Sequence, residues 1–483
     1  MTLHLLSCAL SSTLHTAVDA DACTEVLNTL RGRHFPALDQ YLRLHQRLYQ
    51  ADSRGPVARA MGATDLFIRA CSPDGFVREK ALRDFVQYPG RLALAAALLR
   101  CDDWVPQVQA RAIDLVTSLI VADDSSLFDF LELLLALQER ERFSEAVWQP
   151  LIMPRMRQLS STAVNACWSA TTHASAPARL FAYQTLSGAE PEIAIRAAQQ
   201  AITDVAPSVA RWGLAQAMKF PSRTITLTAL AQGLRHPIAV IRAHALRLLA
   251  QLDANGARRA VEEALFSDTY VLRNAAIHLL KTCYGEAPIN YYRDAIDTRD
   301  PMKEDNALIA LADMATPEDA VRMRPWINHR RRELRAAALR IAERAKPDDF
   351  RQLVEQALTD SASKVVREAL TLAENNGWLS RQLLEEHFAI TTAPITQRCL
   401  ISTAHRLDKW NGIAVLLQWY RTSVGETRNH AAREIGHWIH SEPNKFAPLR
   451  AGLRLEITSA LDALKQSDPS IYWDAIAFAV RSS

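Results

Sequence analysis

The densest concentration of chemically capable side chains in this chain is a run of cations between positions 322 and 346. Arg322, Arg324, Arg330, Arg331, Arg332, Arg335, Arg340, Arg344 and Lys346 stand there against Glu333 and Glu343 alone, with Trp326 beside them. Guanidinium forks match carboxylates and phosphates in a bidentate manner. Arg322, Arg324, Trp326, Arg330, Arg331, Arg332, Arg335 and Arg340 are therefore candidate partner-binding residues, for an acidic protein segment first and nucleic acid second. The competing reading is internal: Glu304, Asp305, Glu318 and Asp319 lie just upstream and would neutralise the run. Three arginines at the start of a helix oppose its dipole, which is a local cost and a reason to ask what uses them.

Metal chemistry has one candidate. His430, Glu434 and His437 are spaced i, i+4 and i+7, so one helical face would carry all three, with His440 nearby. The same spacing describes an ordinary polar helix face with partly buried histidines, so the expectation is no metal and no other cofactor. The chain has no GxSxG, GxxxxGK[ST], GxGxxG or CxxC. These residues point to a binding protein rather than an enzyme.

Composition bounds the partners. Fifty-six basic residues against 53 acidic ones leave a net charge of +3, too little for a global field that demands a polyanion. Any anionic partner must use a local patch. Only nine of the basic residues are lysine, so the forked guanidinium dominates. Apolar residues at 49% and charged residues at 23%, with 15 glycines and 21 prolines, describe a folded chain rather than a disordered one.

The seven cysteines are odd in number and scattered, which argues against a disulfide framework and for a reducing compartment. Leu5-Leu6-Ser7-Cys8 is lipobox-like, but no basic residue precedes it and the apolar stretch is short for a signal peptide. The most apolar run, Leu127 to Leu137, contains Asp129 and Glu132 and cannot span a bilayer. A cytoplasmic location is expected.

What must position these residues is a repeat. A small residue followed by an apolar one recurs at Ala182, Gly213, Ala245, Ala276, Ala307, Ala338, Ala369, Cys399 and Ala431, with a period of about 31 residues. Ala81 and Ala112 form an earlier pair. An apolar residue four positions before most of them, such as Val108, Ile241, Leu272 or Val365, lies on the same helical stripe. Asp74, Asp103, Asp204, Asp268, Asp300, Asp360 and Asp468 stand seven to nine residues before the small residue, where a carboxylate accepts from the free N–H groups of a first turn. Pro301 and Pro469 follow two of them, in the position that suits a first helical residue. The rest of each period has room for one more helix, so each unit is a helical hairpin that buries its face against the next.

Helix, turn, helix, with D-x(3–4)-V-R-x-x-A-[LI] in the second helix, resembles the HEAT family of α-solenoids, nearest to the short bacterial HEAT-like repeats of the bilin-lyase type. The resemblance covers about position 70 to the C-terminus. It implies an all-α, right-handed superhelix of about twelve hairpins with the second helices lining the concave face. It also implies a protein-binding scaffold, and a ladder in which Arg78, Arg179, Arg242, Arg273, Arg335 and Arg428, each three before the small residue, pair with an Asp of a neighbouring unit. The alternative is that this row faces a groove and meets an acidic peptide or a phosphate backbone. Glu304 and Val366 depart from the Arg position, and 121–159 contains no clean unit. The expected organisation is a helical cap at 1–65, first units with an irregular segment at 66–160, and one regular array at 161–483. A second HEAT-like class removes alkylated bases from DNA with tryptophan and a carboxylate; Asp103, Trp104, Trp148 and Trp212 are the residues available for that chemistry.

Overall fold

The computed structural model describes residues 27, 29–49, 62–441, 447–468 and 471–483. The Leu5-Leu6-Ser7-Cys8 stretch, Cys23, Pro469 and most of the expected cap at 1–65 lie outside them. Contacts divide the chain into two compact units, Met1–Arg258 and Arg259–Ser483. Every regular element among the described residues is helical.

In the first unit α1 (Phe35–Tyr49) precedes the hairpins α2 (Ala63–Ala70) with α3 (Gly75–Asp84) and α4 (Arg91–Arg100) with α5 (Pro106–Ala122). An irregular stretch holds α6 (Leu131–Leu137) and α7 (Met153–Arg157). Three further hairpins follow: α8 (Ser161–Ala170) with α9 (Ala176–Leu186), α10 (Pro191–Ile202) with α11 (Pro207–Ala217), and α12 (Arg223–Leu234) with α13 (Ala239–Leu252). Second helices pack in series, α3 on α5 and α9 on α11 on α13, while first helices pack on first helices, α2 on α4 and α10 on α12.

Helix α14 (Ala254–Leu265) carries the chain into the second unit. There α15 (Tyr270–Tyr284), α16 (Pro288–Asp297) with α17 (Glu304–Leu311), the short α18 (Ala320–Met323) with α19 (Arg332–Ala345), and α20 (Phe350–Ala357) with α21 (Ser363–Asn375) continue the pattern. The last hairpins are α22 (Arg381–Ile390) with α23 (Pro394–Thr403), α24 (Lys409–Thr422) with α25 (Gly425–Ser441), and α26 (Ala451–Ser467) with α27 (Ile471–Arg481). The second helices again form one series, α17, α19, α21, α23 and α25, each packed on the next. Each unit is thus an all-α stack of HEAT-like hairpins, an α-solenoid segment whose first and second helices form separate layers.

The stretch 121–159 is irregular for a chemical reason. A 3₁₀ turn at Asp124–Phe130 and a π-helical stretch at Ser144–Ile152, with Pro150 inside it, replace a clean hairpin. Pro150 and Pro154 have no N–H to give to an α-helical ladder, so the turn widens there.

The small residues do the packing that their spacing implied. Ala81, Ala112, Ala182, Ala245, Ala276, Ala307, Ala338, Ala369 and Ala431 are all buried. At Gly213 the contact is closest: a Cβ there would lie 2.8 Å from both the Ala198 carbonyl oxygen and the Ile202 nitrogen of α10. Both obstacles are backbone, so the neighbour cannot rotate away. Gly213→Ala gains about 1 kcal/mol of helix propensity but forces two helices apart, at about 1–3 kcal/mol. A lower urea midpoint is therefore expected, and a midpoint above wild type would show that the helices can part freely.

The starts of eight second helices are built by one recurring device, and it corrects the expected role of the aspartates. The side chains of Ser72, Asp103, His173, Asp204, His236, Ser267, His329 and Asp360 each accept from the N–H two residues on, at 2.7–3.2 Å. In this register the bond closes a turn just before the helix rather than capping its first turn. Among the described residues Asp74 alone of the expected set is a true N-cap, accepting from Phe76 N–H at 2.8 Å. At Asp268 the neighbouring Ser267 hydroxyl does the work. Pro301 sits in a turn, since α17 begins at Glu304, and Asp300 accepts from Met302 N–H within that turn.

Candidate functional site

The row of arginines three before the small residues is anchored on this device. Nη1 of Arg78, Arg179, Arg242, Arg273 and Arg335 donates to the carbonyl six residues earlier, that of Ser72, His173, His236, Ser267 and His329, at 2.7–2.9 Å. The other edge of the fork then reaches the matching residue of the following unit. Arg78 grips Asp103 at 2.8 and 2.9 Å, Arg179 grips Asp204 at 2.7 Å twice, and Arg335 grips Asp360 at 2.7 Å twice. One aspartate therefore starts its own second helix and holds the preceding hairpin.

Arg242 and Arg273 have the carbonyl bond, but the residues twenty-five positions on are Ser267 and Thr298, where the others have a carboxylate. Neither has an acidic partner among the described residues. Arg428 lies over the Tyr420 ring at 4.5 Å and meets Asp468 at 3.3 Å. Arg78, Arg179 and Arg273 are buried. Bonds to Asp204 hold the Arg179 guanidinium above its ordinary range, as bonds to Asp360 do for Arg335.

The cationic run from 322 to 346 is largely neutralised within the second unit. Arg322 is bound by Asp297 at 2.7 and 2.8 Å and by Asp319 at 3.2 Å, and Arg324 by Asp349 at 2.5 and 2.6 Å. Arg331 meets Asp305, Arg332 meets Glu333 at 2.9 Å, and Arg340 meets Asp313 at 3.8 Å. Asp305 and Asp319 are among the upstream acids named from the sequence; Asp297 and Asp313 also lie upstream, and Asp349 and Asp360 lie downstream. Arg293, which grips the fully buried Asp319 at 2.9 Å twice, Arg322 with Asp297 and Asp319, and Arg324 with Asp349 form a second ladder along the first helices α16, α18 and α20. Arg330 and Arg344 are exposed and have no acidic partner among the described residues. Lys346 donates to Asn376 Oδ1 and lies over the Phe350 ring. Trp326 packs on His329, their ring centroids 5.2 Å apart.

His430, Glu434 and His437 do share a face of α25, but their atoms are turned to other work. His430 Nε2 lies 2.6 Å from Ser402 Oγ and its Nδ1 lies 3.1 Å from Nη2 of Arg433. A guanidinium only donates, so Nδ1 is an acceptor and the ring proton sits on Nε2. Burial, with Arg433 and Arg398 close by, lowers the affinity of this ring for a second proton despite Glu434. Glu434 accepts from Ser402 Oγ at 3.1 Å, and His437 is 78% exposed. Among the described residues no group of three or more His, Cys, Asp or Glu side chains is placed to hold a metal ion. Nor is Ser402 an activated nucleophile: the imidazole donates to it, whereas a general base would accept its proton.

The residues available for base-excision chemistry are committed elsewhere. Asp103 is buried in the ladder, Trp148 packs on Phe181, and Trp212 stacks on Tyr183. Trp104 is exposed. Cys71, Cys101 and Cys167 are free and buried, and burial pushes the Cys167 thiol up to about 12. Cys283 is exposed and Cys399 half-buried. No described helix is long and apolar enough to cross a membrane.

A feature that sequence reasoning missed lies along α21, α23 and α25. Arg367, Arg398 and Arg433 line one open recess of about 350 Å³, with Cys399, Ser402 and His430 at its base. Arg367 and Arg433 are exposed.

No family model matches the chain, and none of the curated proteins compared with it matches. Among solved structures, Kap95p, whose binding induces the switch loops of RanGDP to adopt the GTP-bound conformation, aligns over 99% of this chain at 10% identity and a TM-score of 0.37. Kap121p bound to RanGTP aligns over 84% at 13% identity and a TM-score of 0.32. An engineered protein aligns over 87% at 13% identity and a TM-score of 0.22. The alignments cover 66% of the Kap95p chain, 57% of the Kap121p chain and 99% of the engineered one, so this chain falls short of the full length of the first two. The architecture described above stands on its own helices and contacts.

Proposed function

We propose that this chain is a binding scaffold for another protein, met through the outward side chains of the second helices in the second unit. The observation that carries this reading is a division among the arginines. Arg78, Arg179, Arg242, Arg273 and Arg335 on the ladder register donate to carbonyls at the start of their own helices, and Arg78, Arg179 and Arg335 also to the carboxylate of the next hairpin. Arg330, Arg344, Arg367 and Arg433 instead stand exposed on or beside α19, α21 and α25, without an acidic partner among the described residues. A guanidinium that contributes nothing to the packing of its own array is free to meet a partner's carboxylates, and a stack of hairpins offers many such positions along one surface.

The patch at 322–346 enters this reading in reduced form. Arg330 and Arg344 are its contribution, while Arg322, Arg324, Arg331, Arg332, Arg335 and Arg340 are held by the chain's own acids. Capture of partners on the purified chain from nuclease-treated native extract tests the reading. The expected result is a stoichiometric protein retained at physiological salt. Retention of nucleic acid alone, with affinity falling steeply with salt as phosphate contacts require, would overturn it in favour of a nucleic-acid-binding array.

A further inference from the structure

We infer that the recess over α21, α23 and α25 binds an extended acidic segment of a partner protein, with Arg367, Arg398 and Arg433 each taking one carboxylate. The inference rests on the scaffold reading and names the chemistry of its partner.

The three arginines come from three successive second helices, and no acidic side chain lines the recess between them. Their present engagements are weak or exchangeable. Nε of Arg367 reaches only the Ser363 carbonyl of its own helix, at 3.2 Å. Arg433 rests on His430 Nδ1. Arg398 holds Glu426 at 2.5 Å, and that carboxylate is 83% exposed, so a partner's carboxylate can replace it without burying an orphan charge. Glu434 does not line the recess; it accepts from Ser402 Oγ behind it. One hydrogen-bonded carboxylate therefore stands against three cations.

Shape selects the occupant. The recess is open along the row of helices, which leaves a lone small anion exposed to water on one side. Packed helices are about 8–10 Å apart, and an extended chain advances about 3.3 Å per residue. One helix spacing is then roughly three residues, so carboxylates at every third position of an extended segment meet successive arginines. Nucleic acid fits less well, because no Phe, Tyr or Trp lines the recess, its one imidazole is held by Ser402 and Arg433, and single-strand binders rely on aromatic platforms.

The test is a fluorescence-anisotropy titration of the full chain with two short labelled peptides of identical composition. One carries glutamate at every third position and the other carries the same glutamates in one block. The spaced peptide is expected to bind about tenfold more tightly. The double variant Arg367→Glu and Arg433→Glu should abolish that preference, while Lys281→Glu, on the exposed last turn of α15, leaves it within about twofold. If the double variant does not give a wild-type circular-dichroism spectrum, Arg367→Gln with Arg433→Gln replaces it. Equal binding of the two peptides, a preference that survives the double substitution, displacement by inorganic phosphate at low millimolar concentration, or tighter binding of a single-stranded oligonucleotide would each overturn the assignment. Equal capture of a protein partner by wild type and double variant would remove the recess and leave the scaffold reading standing.

Discussion

Asp103→Ala should destabilise the first unit by about 3–5 kcal/mol, the range for breaking a buried ion pair and leaving its partner uncompensated. Asp103 is fully buried and sits among three arginines. Arg78 grips it with Nε and Nη2, and Arg100 and Arg43 approach within 3.5 and 3.6 Å. Asp39, the second acid of this cluster, is bound by Arg43 at 3.3 Å and by Arg100. Burial pushes the Asp39 carboxyl above its ordinary range, and Nε and Nη1 of Arg100 already have no hydrogen-bond partner. Two carboxylates therefore face three guanidinium groups, with Asp103, Arg78 and Arg100 buried and Arg43 partly exposed, and losing one leaves three against one. The substitution also removes the acceptor for Val105 N–H that opens α5. Asp103→Asn keeps that acceptor and should cost less. Urea unfolding followed by far-ultraviolet circular dichroism measures both; an alanine variant within about 1 kcal/mol of wild type would mean that the cluster is not closed.

Ala276→Glu should be comparably severe in the second unit. Ala276 has no exposed surface on α15, at the position where small side chains mark the contact between stacked helices. Glutamate brings both excess volume and a carboxylate that must be buried, so the loss is expected at about 3 kcal/mol or more. Arg344→Glu, on the exposed last turn of α19, is the matched control and should stay within about 1 kcal/mol. A second-unit transition that does not move with Ala276→Glu would contradict the stacked-hairpin packing. Arg340 is unsuitable as that control, because it lies between Asp313 and the half-buried Glu368.

The hairpins were legible in the sequence because a packing contact between helices admits only small side chains, and Ala or Gly at a fixed period is therefore a direct imprint of geometry. The ladder was legible where both partners kept their type, as with Arg179 and Asp204. It was hidden where Ser267 or Thr298 stands in the carboxylate's place, and where His173, His236 and His329 close the turn that an aspartate closes elsewhere. Imidazole, hydroxyl and carboxylate are different letters but the same acceptor. The neutralisation of the cationic run was hidden for a related reason: its acids lie about one period away in both directions, as Asp297 does for Arg322 and Asp349 for Arg324. A scan for Arg and Asp separated by 25 residues would have found these pairs.

The recess was not legible at all. Arg367, Arg398 and Arg433 stand at different offsets from Ala369, Cys399 and Ala431, so no column of the repeat contains them. Only the packing of α21, α23 and α25 brings them to one place. A binding surface of this kind has no register of its own, and the same feature separates it from the ladder, whose register is imposed by the fold.

That separation is the centre of the account, and the stability of Arg335→Gln compared with Arg367→Gln tests it most directly. Arg335 lies on the ladder, its side chain 13% exposed and clamped to Asp360; Arg367 lies off it and faces outward. The prediction is a loss of about 2 kcal/mol or more for Arg335→Gln, from the unpaired Asp360, and less than about 0.5 kcal/mol for Arg367→Gln. Equal losses for the two, or the reverse order, would contradict the division of arginines between holding the hairpins together and meeting a partner.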